Sequence, residues 1–363
     1  MSPAPVAQVR NIRSVTVLRR NPSPFRNMRS SIFLAFLLVT GSAYSCCAQA
    51  SQAASPELLN GVRLFESGKY KEAVATLKEV TKKNSNDANA WFYLGRALLK
   101  TPKSLKDATK ALEKANALHP NWPAAHTILA YALLLRNKSD DADREANAAL
   151  GLDGNIAEAF YILGVVRLRK GQRDAAVEKA EAAIKLKPDF ASPYLLKSQA
   201  LVDFFADVLT SDPRSSSAES KARWVQAAES LEKYLALAHE TEDQEYWKTQ
   251  LENLRFFSNR PKPGDPDYVY GGNELTTKAR VLSKPEPSYT QAARDNGVTG
   301  TVIFRCVFAA DGTVRHLLIV KDLPHGLTEE AIKAARRIKF VPATKDGRPV
   351  SMFIQLEYNF DLY

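Results

Sequence analysis

A chain of 363 residues is too long for one ordinary core and predicts two domains plus a leader, since domains run roughly 100–200 residues each. Its formal charge of +10 is concentrated at the front: Arg10, Arg13, Arg19, Arg20, Arg26 and Arg29 precede the first acid, Glu57, and the remaining 44 basic and 40 acidic residues leave only +4. The basic excess therefore belongs to the leader, and a nucleic-acid partner is excluded.

Residues 1–50 read as a secretory signal with a basic N-terminal extension: Arg26 and Arg29, an apolar run over 32–39, then Ala48-Gln49-Ala50. That order predicts processing at Ala48 and Ala50, with cleavage after Ala50 and a periplasmic product. Stretched over 32–44 the run is still shorter than the roughly 20 residues that span a bilayer. Two alternatives stay open: inner-membrane anchoring through 32–44, and a lipid on Cys46 or Cys47. Membrane contact is expected only in those two cases. Met28 begins a complete short signal of its own, so either Met1 or Met28 can be the start. Cleavage after Ala50 leaves Cys306 as the sole cysteine, and no intramolecular disulfide can form.

The next 200 residues repeat themselves. Four segments align without gaps, opening at Asn86, Asn121, Asn155 and Asp189 and carrying Trp91, His126, Phe160 and Tyr194 at their sixth position. Small residues recur at Gly61, Gly95, Ala130, Gly164 and Ser198, with spacings of 34, 35, 34 and 34, and again at Ala73, Ala108, Ala142 and Ala176. Such a period predicts two antiparallel helices per unit, so close that only Gly or Ala fits where the backbones meet. Neither helix can bury its apolar face alone, and stacked units share one core. Trp91-x-x-Leu94-Gly95 with Ala108, Leu112, Ala115 and Pro120 resembles the tetratricopeptide family. The resemblance covers 55–257, about five repeats, with an insertion near 210–220 and a capping helix over 242–257. It implies that the first helices line a concave groove in which Arg96, Lys100, Tyr131, Leu135, Val165, Arg169 and Gln199 hold a partner protein or peptide. Solvated faces and inter-helix filler are the other reading of those positions.

Residues 258–272, with Pro261, Pro263, Gly264 and Pro266, read as a linker. Beyond it the period changes from helix to strand. Val302, Phe304, Cys306 and Phe308 alternate along one strand, and Ala310-Asp311-Gly312 turns it into a second. Leu327, Ala331, Ala334, Ala335 and Ile338 form one face of a helix. The last strand puts Val350, Met352, Ile354, Leu356, Tyr358 and Phe360 on a core face, and Ser351, Gln355, Glu357, Asn359 and Asp361 on a wet one. Pro287-x-Tyr289, Gly297-Val298-x-Gly300-Thr301-Val302, Asp311-Gly312 and Phe340-x-Pro342-Ala343 make 273–363 similar to the TonB C-terminal domain. Thr290 departs from the proline usual after the tyrosine.

The expected fold is thus multidomain: an all-α tetratricopeptide superhelix followed by a small α+β domain with an antiparallel sheet. The TonB resemblance implies capture of an extended segment of an outer-membrane TonB-dependent receptor as an added strand. The edge would be the last strand: Ser351, Met352, Phe353, Ile354, Gln355, Leu356 and Glu357. Phe353, the large apolar residue on the wet face, either contacts that partner or packs beneath the repeats or linker. The same edge could pair two copies of the chain. An adaptor or scaffold ranks above a divergent membrane-anchored energy transducer, because 32–39 holds no histidine to engage a motor and the linker is too short to span a periplasm. His119, His126, His239, His316 and His325 lack metal-ligand spacing. His126 reads as a core residue and Cys306 as a structural thiol, so neither enzymatic activity nor a cofactor is expected.

Overall fold

The computed structural model describes residues 55–101, 104–208, 218–238, 244–259, 261–265 and 267–362. The leader, with its processing residues Ala48 and Ala50, the anchor 32–44 and Cys46 and Cys47, lies outside them, as does most of the insertion near 210–220.

The helices come in pairs: α1 (Pro56–Glu66) with α2 (Tyr70–Lys83), α3 (Ala88–Leu99) with α4 (Leu105–Leu118), α5 (Pro123–Leu135) with α6 (Ser139–Leu152), α7 (Ala157–Arg169) with α8 (Arg173–Leu186), and α9 (Ala191–Val208) with α10 (Ala218–Leu237). A further helix, α11 (Gln244–Ser258), closes the stack. Local chemistry sets several starts. Ser55 Oγ accepts from Leu58 N at 3.1 Å ahead of Pro56, and Asp87 Oδ1 accepts from Ala90 N at 3.0 Å, satisfying amides that a helix start leaves open. The turn from first to second helix needs a left-handed residue. Gly68 and Gly171 supply it in two units and Asn137, at φ 61°, in a third.

The two helices of a unit bury different amounts. Second helices bury one alanine stripe, Ala142, Ala146 and Ala149 in α6 and Ala176, Ala180 and Ala183 in α8. First helices are enclosed by their own second helix and by the units before and after, so α7 buries Tyr161, Ile162, Leu163, Val165, Val166 and Leu168 together. That is why the inner first helices α5 and α7 are apolar almost all round and the second helices are amphipathic. The small residues mark the tightest approach: a Cβ on Gly95 would lie 2.5 Å from Leu112 Cγ and 3.3 Å from the Ala108 carbonyl oxygen.

The sixth-position aromatics share a second task. Trp91 Nε1 donates to Ser85 O at 2.9 Å, Tyr194 Oη donates to Pro188 O at 3.1 Å, and His126 Nε2 meets Pro120 O at 2.8 Å. Each polar ring tethers its helix to the carbonyl six residues back. His126 also meets Glu145 Oε2 of α6 through Nδ1 at 2.7 Å, so it is a tether between the two helices of its unit as well as a filler.

The C-terminal sheet contains β1 (Val269–Tyr270), β3 (Gly300–Phe308), β4 (Val314–Lys321), β6 (Ala343–Lys345) and β7 (Arg348–Phe360), in the order β1-β7-β3-β4 with β6 also on β7. A ribbon of β2 (Arg280–Ser283) and β5 (Lys339–Val341) lies apart from it, and α12 (Gln291–Asp295) precedes β3. Helix α13 (Leu327–Arg336) covers one face, setting Leu327, Ala331, Ala334 and Ala335 against Val302, Phe304, Cys306, Phe308, Met352, Leu356, Tyr358 and Phe360. The β3–β4 turn is closed by Asp311, whose Oδ1 accepts from Thr313 N at 3.0 Å, and by Gly312 at φ 81°.

Candidate interaction surfaces

Six of the seven groove positions lie on the successive first helices α3, α5, α7 and α9 and Lys100 caps the end of α3, but the structure divides them. Tyr131 and Val165 are 5% and 0% exposed and belong to the repeat core. They are corrected from groove to filler, because their side chains turn into the core that the stacked first helices share. Arg96, Lys100, Leu135, Arg169 and Gln199 stay partly exposed. Arg96 lays its guanidinium over Phe65 of α1 at 4.6 Å and over Phe92 and Tyr93 of α3, each at 5.4 Å. Arg169 Nη1 donates to Leu134 O of α5 at 2.9 Å. Both cations tie one unit to the unit before it. Burial, with Arg96 nearby, brings the Lys100 ammonium down to about 8, and burial brings Arg169 down to about 10. Burial pushes the Tyr131 and Tyr161 hydroxyls up.

The second surface is β7. Along one side it pairs with β3 from Gly300↔Phe360 to Phe308↔Met352. β6 pairs with residues 348–350 ahead of the β3 ladder, and on the other side of β7 the strand β1 pairs in parallel with Ser351 and Met352. These two residues are therefore corrected from open edge to interior ladder. The linker reading missed the reason, which is that Val269 and Tyr270 fold back as a strand. That strand is clasped at its end by the Glu274 carboxylate, which accepts from Gly271 N at 2.6 Å and from Tyr268 Oη at 3.1 Å. Alongside 354–360 no strand of the described residues lies on this side. Lys284 Nζ donates to the Glu357 carbonyl there at 2.7 Å. In an antiparallel ladder main-chain groups alternate in direction, so Gln355 and Asn359 face the same way as Glu357. Met352 and Leu356 point into the domain core with Ile354 half-buried behind them, while Gln355, Glu357 and Asn359 are exposed.

Phe353 does not face solvent. Its ring lies 5.8 Å from Phe257 of α11, and the Arg305 guanidinium stands 5.4 Å from each of those two rings. The sheet face opposite α13 is thus packed against the end of the repeats, where Leu318 joins Leu251, Leu254, Phe257, Trp224 and Leu231 in one cluster. Phe256 stacks on His316 at 3.6 Å and 2°. Of the two readings of Phe353, packing beneath the repeats is the one the structure shows; the rest of this junction escaped the sequence reading. Its signal was faint: two amides, Gln250 and Asn253, on the same helix face as Leu254 and Phe257.

The chain matches the family described as Gram-negative bacterial TonB protein C-terminal over residues 285–362, and tetratricopeptide repeat families over 64–131 and 127–191. A 109-residue stretch is 31% identical to Protein TonB of Vibrio cholerae, covering 28% of this chain and 44% of that protein. The chain therefore spans less than half the length of that relative. Among solved structures it is similar to MamA, at 25% identity and TM-score 0.40 over 48% of this chain and 95% of that one. It is also similar to pilF of Pseudomonas aeruginosa, at 16% and 0.44 over 56% and 85%. A third likeness is to YrrB, described as a TPR protein with an unusual peptide-binding site, at 19% and 0.39 over 51% and 86%. Residues 64–191 are tetratricopeptide repeats and residues 285–362 are a TonB C-terminal domain, two modules of protein–protein interaction in one chain.

Proposed function

We propose that the chain is an exported adaptor of the bacterial cell envelope, without catalytic activity of its own. In this reading the repeats hold a partner protein, and the TonB C-terminal domain takes an extended segment, such as one from an outer-membrane TonB-dependent receptor, as an added strand on β7. The signal-shaped leader and the likeness to Vibrio cholerae TonB support the envelope location. The observation that carries the binding mode is the flank of β7 over 354–360. There Gln355, Glu357 and Asn359 turn main-chain donors and acceptors away from β3 with no strand of the described residues alongside. Main-chain pairing would supply affinity and the exposed Gln355, Glu357 and Asn359 side chains selectivity.

Proline at 355 tests this. It removes an amide that points away from β3, so the β3–β7 ladder keeps its bonds while the outer edge loses a donor. With a photo-crosslinker at Glu357 in intact cells, an extended receptor segment should be trapped by the native protein and by Gln355→Ala, and lost with Gln355→Pro. Trapping that survives Gln355→Pro would sink strand addition.

The alternative, a membrane-anchored energy transducer, draws on the same TonB likeness. No helix of the described residues is long and apolar enough to cross a membrane, and 32–44 lies outside them. The mature N-terminus separates the two. A soluble product starting at Ser51 fits the adaptor, retention of 32–44 fits the transducer, and a lipid on Cys46 or Cys47 makes a tethered scaffold.

A further inference from the structure

An open sheet has two edges, each a row of main-chain groups able to recruit another strand. In this sheet the second edge is β4. Its inner side pairs with β3, and its outer side carries the Leu317 carbonyl and the Ile319 amide. No strand of the described residues meets them. Instead α11 runs past, and two of its side chains take the place of a strand's main chain: Asn253 Nδ2 donates to Leu317 O at 2.7 Å, and Gln250 Oε1 accepts from Ile319 N at 3.3 Å. The directions are opposed, since the helix number falls from 253 to 250 as the strand number rises from 317 to 319. The helix thus presents its donor and acceptor in antiparallel order, as a neighbouring strand would.

Both amides are nearly sealed from water, Gln250 at 6% and Asn253 at 4% exposure. Phe256 stacked on His316 closes one end of the contact, and Leu318 packs among Leu251, Leu254 and Phe257 on the adjoining face. Apolar side chains at 250 and 253 would serve the hydrophobic contact as well, but would leave a buried carbonyl and a buried amide without partners. Residues 250 and 253 are three apart, so they project from one helix face.

We propose that Gln250 and Asn253 guard the β4 edge: α11 stands in for a strand, denies this edge to the β4 of a second copy of the chain, and confines sheet extension to β7. The excluded complex is an isologous dimer in which two β4 strands run antiparallel across a two-fold axis, the pairing that a bare edge of this kind favours. The guard concerns β4 alone and holds whether or not β7 takes a ligand.

Near-isosteric variants separate hydrogen bonding from packing. Asn253→Asp removes the donor and sets a carboxylate against the Leu317 carbonyl, and Gln250→Met removes the acceptor that Ile319 N meets while keeping the length of the side chain. In the full chain, Asn253→Asp should raise amide exchange at Ile319 at least tenfold while Phe304 and Phe308 stay protected. Sedimentation should then show a concentration-dependent dimer whose formation restores protection along β4. Gln250→Met should likewise raise exchange at Ile319, the amide that then loses its acceptor. If Asn253→Asp loses protection throughout, Asn253→Ala replaces it with the same local result expected. Unchanged exchange at Ile319 and unchanged mass with an intact fold would overturn the guard, as would a dimer that protects Glu357 in place of β4.

Discussion

Gly95 shows how one missing side chain sets the spacing of two helices. Placing a methyl 2.5 Å from Leu112 Cγ forces overpacking that costs about 1–3 kcal/mol, against a helix-propensity gain of about 1 kcal/mol. Gly95→Ala should therefore lower stability in urea despite alanine's preference for helix. His126 is a different case, since Phe160 occupies the same place in the next unit and shows that a plain ring fits. His126→Phe should lose the contacts to Pro120 and Glu145 and cost about 1–2 kcal/mol, measured by thermal unfolding. Lys100 carries charge that burial resists. Because its folded value of about 8 lies below the ordinary 10.5, the folded chain holds fewer protons than the unfolded one between those values, and stability from this group rises with pH across that window. Lys100→Met should accordingly be more stable than the native chain at pH 7, with the difference closing by pH 10.5.

At the scale of elements, periodicity was a sound guide wherever one face is buried by local partners. The alanine stripes of α6 and α8 and the inward residues of β3 and β7 were all legible, because a helix or strand that buries one face shows its period in the sequence. The groove was less legible: the period marks which residues lie on a first helix, but it does not say where the neighbouring first helix seals against it, so Tyr131 and Val165 read the same as Arg96 and Arg169. Strand β1 was illegible for another reason. Two residues carry no period, and proline and glycine around them read as linker. Its retention depends on the Glu274 clasp, and Glu274→Ala should raise exchange at Tyr270 severalfold while changing global stability by less than about 1 kcal/mol.

In the whole molecule the repeats and the sheet are one packed unit, joined through α11. His316 lies in that joint, stacked on Phe256 and facing Arg315, Asp267 and Glu252. Burial first, and then Arg315, hold its imidazole below the usual 6.5. Such a histidine favours the packed state while neutral, so stability from it is lost as pH falls from 6.5 through the lower folded value. Proteolysis near 261–265 should therefore quicken below pH 6 in the native chain and lose that acid dependence in His316→Phe. The amino-acid sequence by itself determined the repeat period, the change from helical to strand alternation and the two module families, because each is recorded in residues that interact with close sequence neighbours. Only the tertiary structure decided which edge of the sheet is closed, which groove residues are seams and where Phe353 points. The closed edge and the place of Phe353 depend on main-chain groups and side chains separated by some 60 to 100 positions, the seams on first helices 35 positions apart, and a carbonyl on β4 leaves no mark in the sequence of the helix that meets it.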